Sequence, residues 1–235
     1  MAKQVVSLTD RELSESAKTL RSNIDFAGID TPISSVTITS AEKGDGKTII
    51  ACALAIAEAS ANRKTLIIDN DFRNPQVAVR LHVRGTHRLG EVLNATPETL
   101  MDYCMETRIP NLYVLDVGTR RSDPVEVLSS RKYEQLIQMA FEMFDFVIID
   151  TPPLGMFIDA ALVAPKTDGV VIVIRSAKDT PEALKSVLSQ LDKANARVIG
   201  AVLNGAKKRH SDYYYYYYSS KEHRTKKKST RRKEE

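Results

Sequence analysis

The chain has 235 residues, of which 43% are hydrophobic, and a formal net charge of +4. That length fits one α/β domain with an appended segment better than two complete domains. With only Cys52 and Cys104, the sequence excludes a disulfide-stabilised scaffold and a cysteine-rich metal site. It also lacks a run of about 18 apolar residues, so we expect a cytosolic chain.

The charge is distributed unevenly. Residues 207–235 contain 11 Lys or Arg and 4 Asp or Glu, a net charge of +7, which leaves −3 for residues 1–206. We therefore predict a globular domain over 1–206 and a basic tail over 207–235, disordered because it has almost no aliphatic side chains to bury. Such a tail is compatible with acidic lipid, nucleic acid, an acidic protein or plain solvation.

The first predicted element is a helix over residues 9–28. Thr9 and Glu12 have the spacing of a capping box, apolar residues recur at helical spacing, and Gly28 ends the pattern. Three charged residues step along the neighbouring face, and we expect them on the exposed side: Glu15, Lys18 and Arg21.

A glycine-containing loop follows an apolar, β-branched segment, Val36–Thr39, and precedes an alanine-rich helix. Strand, glycine loop, Lys-Thr and helix form a cradle in which backbone N–H groups, a lysine and a hydroxyl meet nucleotide phosphates and Mg²⁺. The full pattern has glycine at position 41, where this chain has Ala41. The ordinary alternative is a turn followed by a helix. The nucleotide-binding residues predicted here are Lys43, Gly44, Asp45, Gly46, Lys47, Thr48 and Ile49.

Beyond this loop, apolar strands alternate with helices. Residues 77–106 are predicted to form short helices and turns. One long amphipathic helix should run from Asp123-Pro124 to Phe144, and a further helix covers 181–193. Continuously apolar strands that alternate with helices indicate a mainly parallel β-sheet flanked by helices, the α/β architecture of P-loop NTPases. The strands are predicted over 64–71, 112–118, 144–150, 169–175 and 197–204.

Three acids follow predicted strands: Asp69, Asp71 and Asp150. An Asp in this position ordinarily caps a helix or forms a turn. Because ligands bind at the carboxyl ends of parallel strands, we interpret the three acids together as groups that serve a bound metal and an attacking hydroxyl. We expect Lys47 and Asp69 to face solvent or nucleotide. Arg73 either positions phosphate or substrate, or forms an ordinary salt bridge.

Five segments resemble motifs of the bacterial tyrosine kinases of the CpsD/CapB type, often called BY-kinases. SAEKGDGKT resembles their Walker A motif, LIIDNDFRNP their second aspartate motif (Walker A′) and FVIIDTPP their Walker B motif. ESAKTLR is similar to their Glu-x-x-Arg-x-x-Arg oligomerisation motif. The run of tyrosines near the C-terminus is similar to their autophosphorylation cluster.

The resemblance implies a catalytic set of Lys47, Asp69, Asp71 and Asp150, with ATP and Mg²⁺ as cofactors. The implied metal site is Thr48, Asp69 and Asp150, and Asn204 matches a position that faces the adenine in related ATPases. The implied phosphoacceptors are Tyr213, Tyr214, Tyr215, Tyr216, Tyr217 and Tyr218. Low-complexity drift and a sticky segment are the alternatives for this run.

The same resemblance implies a regulator of capsule or exopolysaccharide synthesis. Its implied partners are a membrane-anchored activator of the chain-length adaptor type, further copies of the chain in a ring when unphosphorylated, and a phosphotyrosine phosphatase. Nucleic acid is not expected. The kinase would be cytoplasmic and recruited to the inner face of the membrane. Three departures from the family pattern are present: Lys43 in place of proline, Asp123-Pro124 in place of Asn-Pro, and Lys18 in place of arginine, which loses the bidentate fork.

Two rival functions stay open at this point. A partitioning or division-site ATPase of the MinD/ParA type shares the sheet and most of the aspartates. However, its extra lysine would fall at Glu42. A nucleotide-dependent scaffold whose tail is phosphorylated by another kinase is the second rival.

Overall fold

The computed structural model describes residues 11–83, 89–116 and 123–206. Thr9 and the six tyrosines lie outside these ranges. Two compact units are distinguished, Met1–Asn204 and Gly205–Glu235, and nearly all of the second lies outside the described residues. The predicted boundary after residue 206 therefore stays a prediction.

The first half of the chain forms the phosphate-loop unit and several short elements. Helix α1 covers Arg11–Ala27, strand β1 Ser35–Ser40, helix α2 Lys47–Ala59 and strand β2 Thr65–Asp69. Three one-turn helices follow: α3 (Val77–Arg80), α4 (Leu89–Val92) and α5 (Leu100–Tyr103). Gly28 ends α1 as predicted, and its N–H donates to the carbonyl oxygen of Ile24 (3.1 Å).

The second half completes the sheet. Its strands are β3 (Met105–Glu106), β4 (Leu112–Asp116), β5 (Phe146–Asp150), β6 (Gly169–Arg175) and β7 (Val198–Asn204). Its helices are α6 (Pro124–Leu128), α7 (Arg131–Met143), α8 (Asp159–Val163), which a short 3₁₀ turn extends, and α9 (Pro181–Lys193).

In the described part of the chain, seven strands form one sheet in the order β3-β4-β2-β5-β1-β6-β7. Every neighbouring pair is parallel except β3 and β4. The predicted fold class is therefore confirmed. Because β1 lies between β5 and β6, the loop that follows it emerges at the centre of the carboxyl edge.

Each central strand is buried on both faces because successive side chains point to opposite sides. Ile67 and Ile148 pack towards α1 and α2, whereas Ile68 and Ile149 pack towards α6 and α7. Helix α2 lies between the sheet and α1, and small residues allow the two helices to approach closely. These residues are Ala17, Ala53 and Ala57.

The structure corrects one predicted element and adds two that were not predicted. The long helix predicted from Asp123 to Phe144 is two helices, because the Ser130 hydroxyl accepts from the N–H of Tyr133 and starts α7 separately (3.2 Å). The edge strand β3 and helix α8 were not predicted; both are too short to show a hydrophobic period. Strand β4 ends at Asp116, and residues 117–118 of its predicted range lie outside the described residues.

Candidate nucleotide and phosphoryl-transfer site

The loop between β1 and α2 has the backbone shape of a phosphate cradle. Gly44 and Gly46 have φ angles of +88° and +101°, a left-handed conformation that glycine adopts without strain. Gly46 is required for a second reason, since a Cβ at this position would lie 2.0 Å from Nδ2 of Asn204. Helix α2 begins directly after Gly46, so its first N–H groups point into the loop.

Asp45 braces this loop from within. Its carboxylate is fully buried, and Oδ2 accepts a hydrogen bond from the N–H of Glu42 (2.7 Å). Its carbonyl oxygen accepts from Nδ2 of Asn204 at the end of β7 (2.7 Å). The other carboxylate oxygen accepts from Nζ of Lys178 (2.6 Å), a residue between β6 and α9. The loop is thus held by residues that follow β6 or end β7, the two strands on one side of β1 in the sheet order.

Lys47 is the first residue of α2, and only 7% of its surface is exposed. Burial lowers its pKa, while the negative charges of Asp150, Asp71 and Asp45 raise it. Since burial outweighs these partners, the ammonium group gains further stabilisation from a phosphate anion placed in the loop.

Three carboxylates lie side by side at the carboxyl edge of the sheet. In the strand register Asp69 pairs with Asp150 on one side and with Asp116 on the other, and all three are buried. Burial raises the pKa of Asp69 well above its usual range, and the charge of Asp150 adds to the rise. Burial likewise raises the pKa of Asp150 to about 7, against the opposing effects of Thr48 and Lys47.

The carboxylate of Asp69 accepts hydrogen bonds from the backbone that follows it. One carboxylate oxygen accepts from the N–H groups of Gln76 and Val77 (2.7 and 2.9 Å), and the other accepts from the N–H of Asp71 (3.1 Å). Asp69 therefore starts α3 and fixes the turn that presents Asp71. The expectation that Asp69 faces solvent or nucleotide is wrong: it is 1% exposed, because its partners are amides of its own chain.

Asp150 has a different environment. The neighbouring hydroxyl of Thr48 lowers the pKa of Asp150 through hydrogen bonding, whereas the Oδ1 atom of Asp150 is buried and has no hydrogen-bond partner among the described residues. A buried carboxylate oxygen without a partner is costly unless a cation or an ordered water meets it. Thr48 and Asp150 are thus the residues best suited to a divalent cation.

A cleft of about 400 Å³ opens beside the phosphate loop. Its lining includes Lys47 and Thr48 of the phosphate loop and helix α2, and Asp71 and Arg80 from the segment after β2.

Arg73 also lines this cleft and is held from two sides. It forms a salt bridge with the buried carboxylate of Asp159, and its guanidinium carbon lies 4.0 Å from the ring centre of Phe157. The salt bridge predicted as one alternative for Arg73 is therefore present, and Arg73 nevertheless lines the cleft.

A larger hollow of about 1100 Å³ lies between α3 and β3. It includes His82, Glu106 and Arg108 but no residue of the phosphate loop. Volume alone does not identify the reaction site here, since the converging charges lie in the smaller cleft.

Comparison with known proteins places this site in a family. A domain family described as AAA domain matches residues 34–202. The putative tyrosine-protein kinase CapB of Staphylococcus aureus is 36% identical over 193 residues, which cover 82% of this chain and 84% of CapB. The tyrosine-protein kinase YwqD of Bacillus subtilis is 35% identical over 216 residues, 90% of each chain. The chain belongs to the bacterial tyrosine-protein kinase family.

Solved structures agree with this assignment. The chimerical protein CapA2B2 superimposes on the kinase with a TM-score of 0.79 and 34% identity, covering 86% of this chain and 88% of the other. The cell-division ATPase MinD of Pyrococcus furiosus reaches a TM-score of 0.61 at 26% identity over 74% of each chain. The MinD-type rival is therefore a more distant relation of fold.

The kinase fold brings most predicted site residues to one place. Six of the seven predicted loop residues line the cleft together with Asp71, and Asp69 and Asp150 end adjacent strands behind it. The exception is Asp45, which is fully buried and holds the loop from within. Asn204 lies behind the phosphate loop and is not among the cleft-lining residues, so its contact with adenine stays a prediction.

Some residues of the kinase site were missed by the sequence analysis. Asp116 could have been found, because it ends an apolar strand just as Asp69 does. Arg80 and Phe157 line the cleft without any motif to mark them, and Lys178 lies more than 130 residues from the loop that it contacts. Among the described residues, every helix is too short or too polar to span a bilayer.

Proposed function

We propose that this kinase transfers the γ-phosphoryl group of ATP to tyrosines in the tail of a neighbouring copy and thereby regulates capsule or exopolysaccharide synthesis. The observation that carries the reaction is the shared cleft. A phosphate loop with a buried lysine and the half-buried carboxylate of Asp71 line the same cleft of about 400 Å³. Phosphoryl transfer depends chiefly on positioning and charge stabilisation, and this cleft supplies both.

Mg²⁺ fits the residues that are present. We assign it to Thr48 and Asp150, because the buried Oδ1 of Asp150 has no hydrogen-bond partner among the described residues. Asp69 was also predicted to hold the metal. Its hydrogen bonds to three backbone amides support a role at a distance from the ion. When bound, Mg²⁺ neutralises phosphate charge and orients the β- and γ-phosphates.

The protein's own residues bind the phosphates, stabilise charge and activate the acceptor hydroxyl. The N–H groups of the loop and the start of α2 hold the β- and γ-phosphates, and Lys47 stabilises the charge that builds up during transfer. Asp71 lies at the cleft with its Oδ1 accepting from the N–H of Asn74 (3.0 Å), so its carboxylate is fixed in orientation. We assign Asp71 to orient the acceptor hydroxyl and take its proton.

The acceptors proposed are the six consecutive tyrosines from Tyr213 to Tyr218. They are flanked by charged residues and have neither the period nor the neighbours of a core strand. An activator on a second chain, which recruits the kinase to the membrane, and a phosphatase that resets the tail complete the proposal. The match to the chimerical CapA2B2 supports an activator supplied separately.

The test is mass spectrometry of the full-length chain after incubation with ATP, Mg²⁺ and its activator. We expect phosphate on the tyrosine run. Lys47→Met and Asp71→Asn should each reduce phosphotyrosine by at least about 100-fold, the scale of losing one group that stabilises or positions a reacting atom.

Matched controls are available on the exposed surface. Lys185→Met in α9 and Asp102→Asn in α5 remove the same charges away from the cleft and should label normally. Normal labelling of Lys47→Met would instead favour the scaffold phosphorylated by another kinase. ATP hydrolysis without phosphotyrosine would favour a positioning ATPase.

A further inference from the structure

A lysine that follows β6, the strand next to β1, is fixed against the phosphate loop. Nζ of Lys178 donates to Oδ1 of Asp45 (2.6 Å) and to the carbonyl oxygen of Lys43 (2.9 Å), and it lies 3.1 Å from Oε2 of Glu42. An ammonium group has three donors, and three acceptors surround this one.

The segment that carries Lys178 is itself fixed. The N–H groups of Lys178 and Asp179 both donate to the carbonyl oxygen of Arg175 (3.2 and 3.1 Å), and Ser176 donates to the carbonyl oxygen of Asn204 (2.9 Å). Ala177 has a φ of +59°, a conformation that a residue with a Cβ adopts only where its surroundings impose it. This turn directs Lys178 towards the loop.

Charge explains why the loop needs this lysine. Within the loop, Glu42 and Asp45 offset Lys43 and Lys47, so on its own the loop would offer no net positive charge to a polyanionic nucleotide. Asp45 is fully buried and cannot be screened by water, so its charge requires a cation nearby. Partial desolvation lowers the pKa of Lys178. Hydrogen bonds to Asp45 and Glu42 outweigh this effect, raise the pKa and keep the ammonium group charged.

We propose that Lys178 is a positioning residue of the nucleotide site: it holds the phosphate loop in its binding shape and neutralises Glu42 and Asp45. It is not among the residues that line the cleft, so it acts through the loop and not on the substrate. This inference rests on the proposed function of the cleft as a nucleotide site.

The direct test measures binding of a fluorescent ATP analogue, N-methylanthraniloyl-ATP with Mg²⁺, to the full-length chain. Lys178→Met should weaken binding about tenfold, whereas turnover at saturating ATP should change by less than about threefold. Lys178→Arg, which keeps the charge, should bind within about threefold of wild type. Lys185→Met, which removes an exposed lysine of α9, should bind normally.

A double variant separates the charge argument from a general loss of structure. Lys178→Met combined with Asp45→Asn leaves no buried charge without a partner, and Asn keeps an oxygen to accept from the N–H of Glu42. We expect the double variant to bind about threefold more tightly than Lys178→Met alone, because no buried charge is left without a partner. It should still bind more weakly than wild type, because the hydrogen bond from Nζ to the carbonyl oxygen of Lys43 is lost. Should Lys178→Met not fold, the double variant and Lys178→Arg carry the same comparison.

Each outcome has a defined meaning. Binding by Lys178→Met within twofold of wild type, equal weakening by Lys185→Met, or a double variant that binds no more tightly than Lys178→Met alone overturns the role of Lys178. A wild-type chain that does not bind the analogue overturns the nucleotide site and this inference with it. A loss of turnover at saturating ATP with unchanged affinity also contradicts a role in nucleotide positioning.

Discussion

Glu58 places a carboxyl group at the buried contact between α2 and α1. Its Oε2 accepts from Nη1 of Arg63 (3.0 Å), while Oε1 is buried without a hydrogen-bond partner among the described residues. Burial raises its pKa from the ordinary 4.5 to about 7, opposed by Arg63 and supported by Asp25. Arg21 of α1 also lowers this pKa.

This shift predicts a pH dependence of stability. Between pH 4.5 and about 7 the carboxyl is protonated in the folded chain and ionised in the unfolded chain, so the unfolded state binds fewer protons. The free energy of unfolding should therefore fall as the pH rises through this window, by about 1.4 kcal/mol for each pKa unit and about 3 kcal/mol in all.

Glu58→Gln should remove that dependence, because a neutral amide does not ionise. We expect the free energy of unfolding of the variant, relative to wild type, to rise by about 2–3 kcal/mol between pH 5 and pH 8. Urea unfolding at both values measures it, with Glu182→Gln on the exposed surface of α9 as the control. An equal difference at pH 5 and pH 8 would contradict the buried-carboxyl explanation.

At the scale of elements, the three charged residues of the motif in α1 have two different environments. Glu15 and Lys18 are exposed and form a salt bridge with each other (2.8 Å), and the hydrogen bond from Lys18 lowers the pKa of Glu15. Arg21 is half-buried, and its charge acts on Glu58. The expectation that all three residues lie on the exposed side is therefore met by Glu15 and Lys18 but only in part by Arg21, which is half-buried and close enough to Glu58 of α2 to lower its pKa.

Substitutions in α1 can separate assembly from stability. If the exposed pair contacts a neighbouring copy, Lys18→Glu should lower the mass of the unphosphorylated kinase in light scattering, with little change in stability, since exposed ion pairs contribute at most about 1 kcal/mol. Arg21→Ala should lower both the mass and the thermal midpoint, because it also withdraws a positive charge from Glu58.

Lys185→Glu in α9 is the matched control for charge reversal and should leave the mass unchanged. The same mass for wild type and Lys18→Glu would show that Lys18 serves only its own helix through Glu15. The role of the motif in a ring stays a prediction until then.

At the scale of the whole molecule, a short connection links the last strand to the tyrosines. Nine positions separate Asn204 from Tyr213, which span about 30 Å when extended at roughly 3.3–3.6 Å per residue. Asn204 contacts the phosphate loop from behind, whereas an acceptor must enter the cleft near Asp71. We therefore expect transfer between copies.

A mixing experiment tests this expectation. Lys47→Met keeps its tail but lacks the active lysine, and a chain truncated after Lys207 keeps the active site but lacks the tyrosines. Phosphotyrosine on Lys47→Met in the mixture, with activator and ATP present, is the expected result. An unlabelled Lys47→Met, together with wild-type labelling at a rate independent of concentration, would show transfer within one chain.

Phosphorylation also changes the charge balance of the molecule. Each phosphotyrosine adds about −1.5 to −2, so six would add roughly −9 to −12 and make the tail acidic. An acidic tail should leave a site that already contains Asp71 and nucleotide phosphate. It should also lose affinity for anionic membrane, towards which each Lys or Arg contributes about 1 kcal/mol. Assembly and phosphorylation would then alternate.

The sequence by itself determined the architecture and the location of the chemistry. Apolar runs such as LIID and FVIID predict strands buried on both faces, and the glycine loop before an alanine-rich helix predicts the phosphate cradle. These signals are local: strand burial, left-handed glycine and helix period act over a few neighbouring residues. The family resemblance depends on the same short segments.

Only the tertiary structure decided which side chains meet. It showed Asp69 bound to the amides at the start of α3, the charge of Arg21 acting on the buried Glu58, and Lys178 fixed against Asp45. Burial and ion pairing depend on neighbours that are distant along the chain, and one sequence contains no direct record of them. From the sequence alone, the partner of a charged residue in a motif is therefore as unknown as the partner of a charged residue on a loop. Only the fold determines which groups each of them contacts.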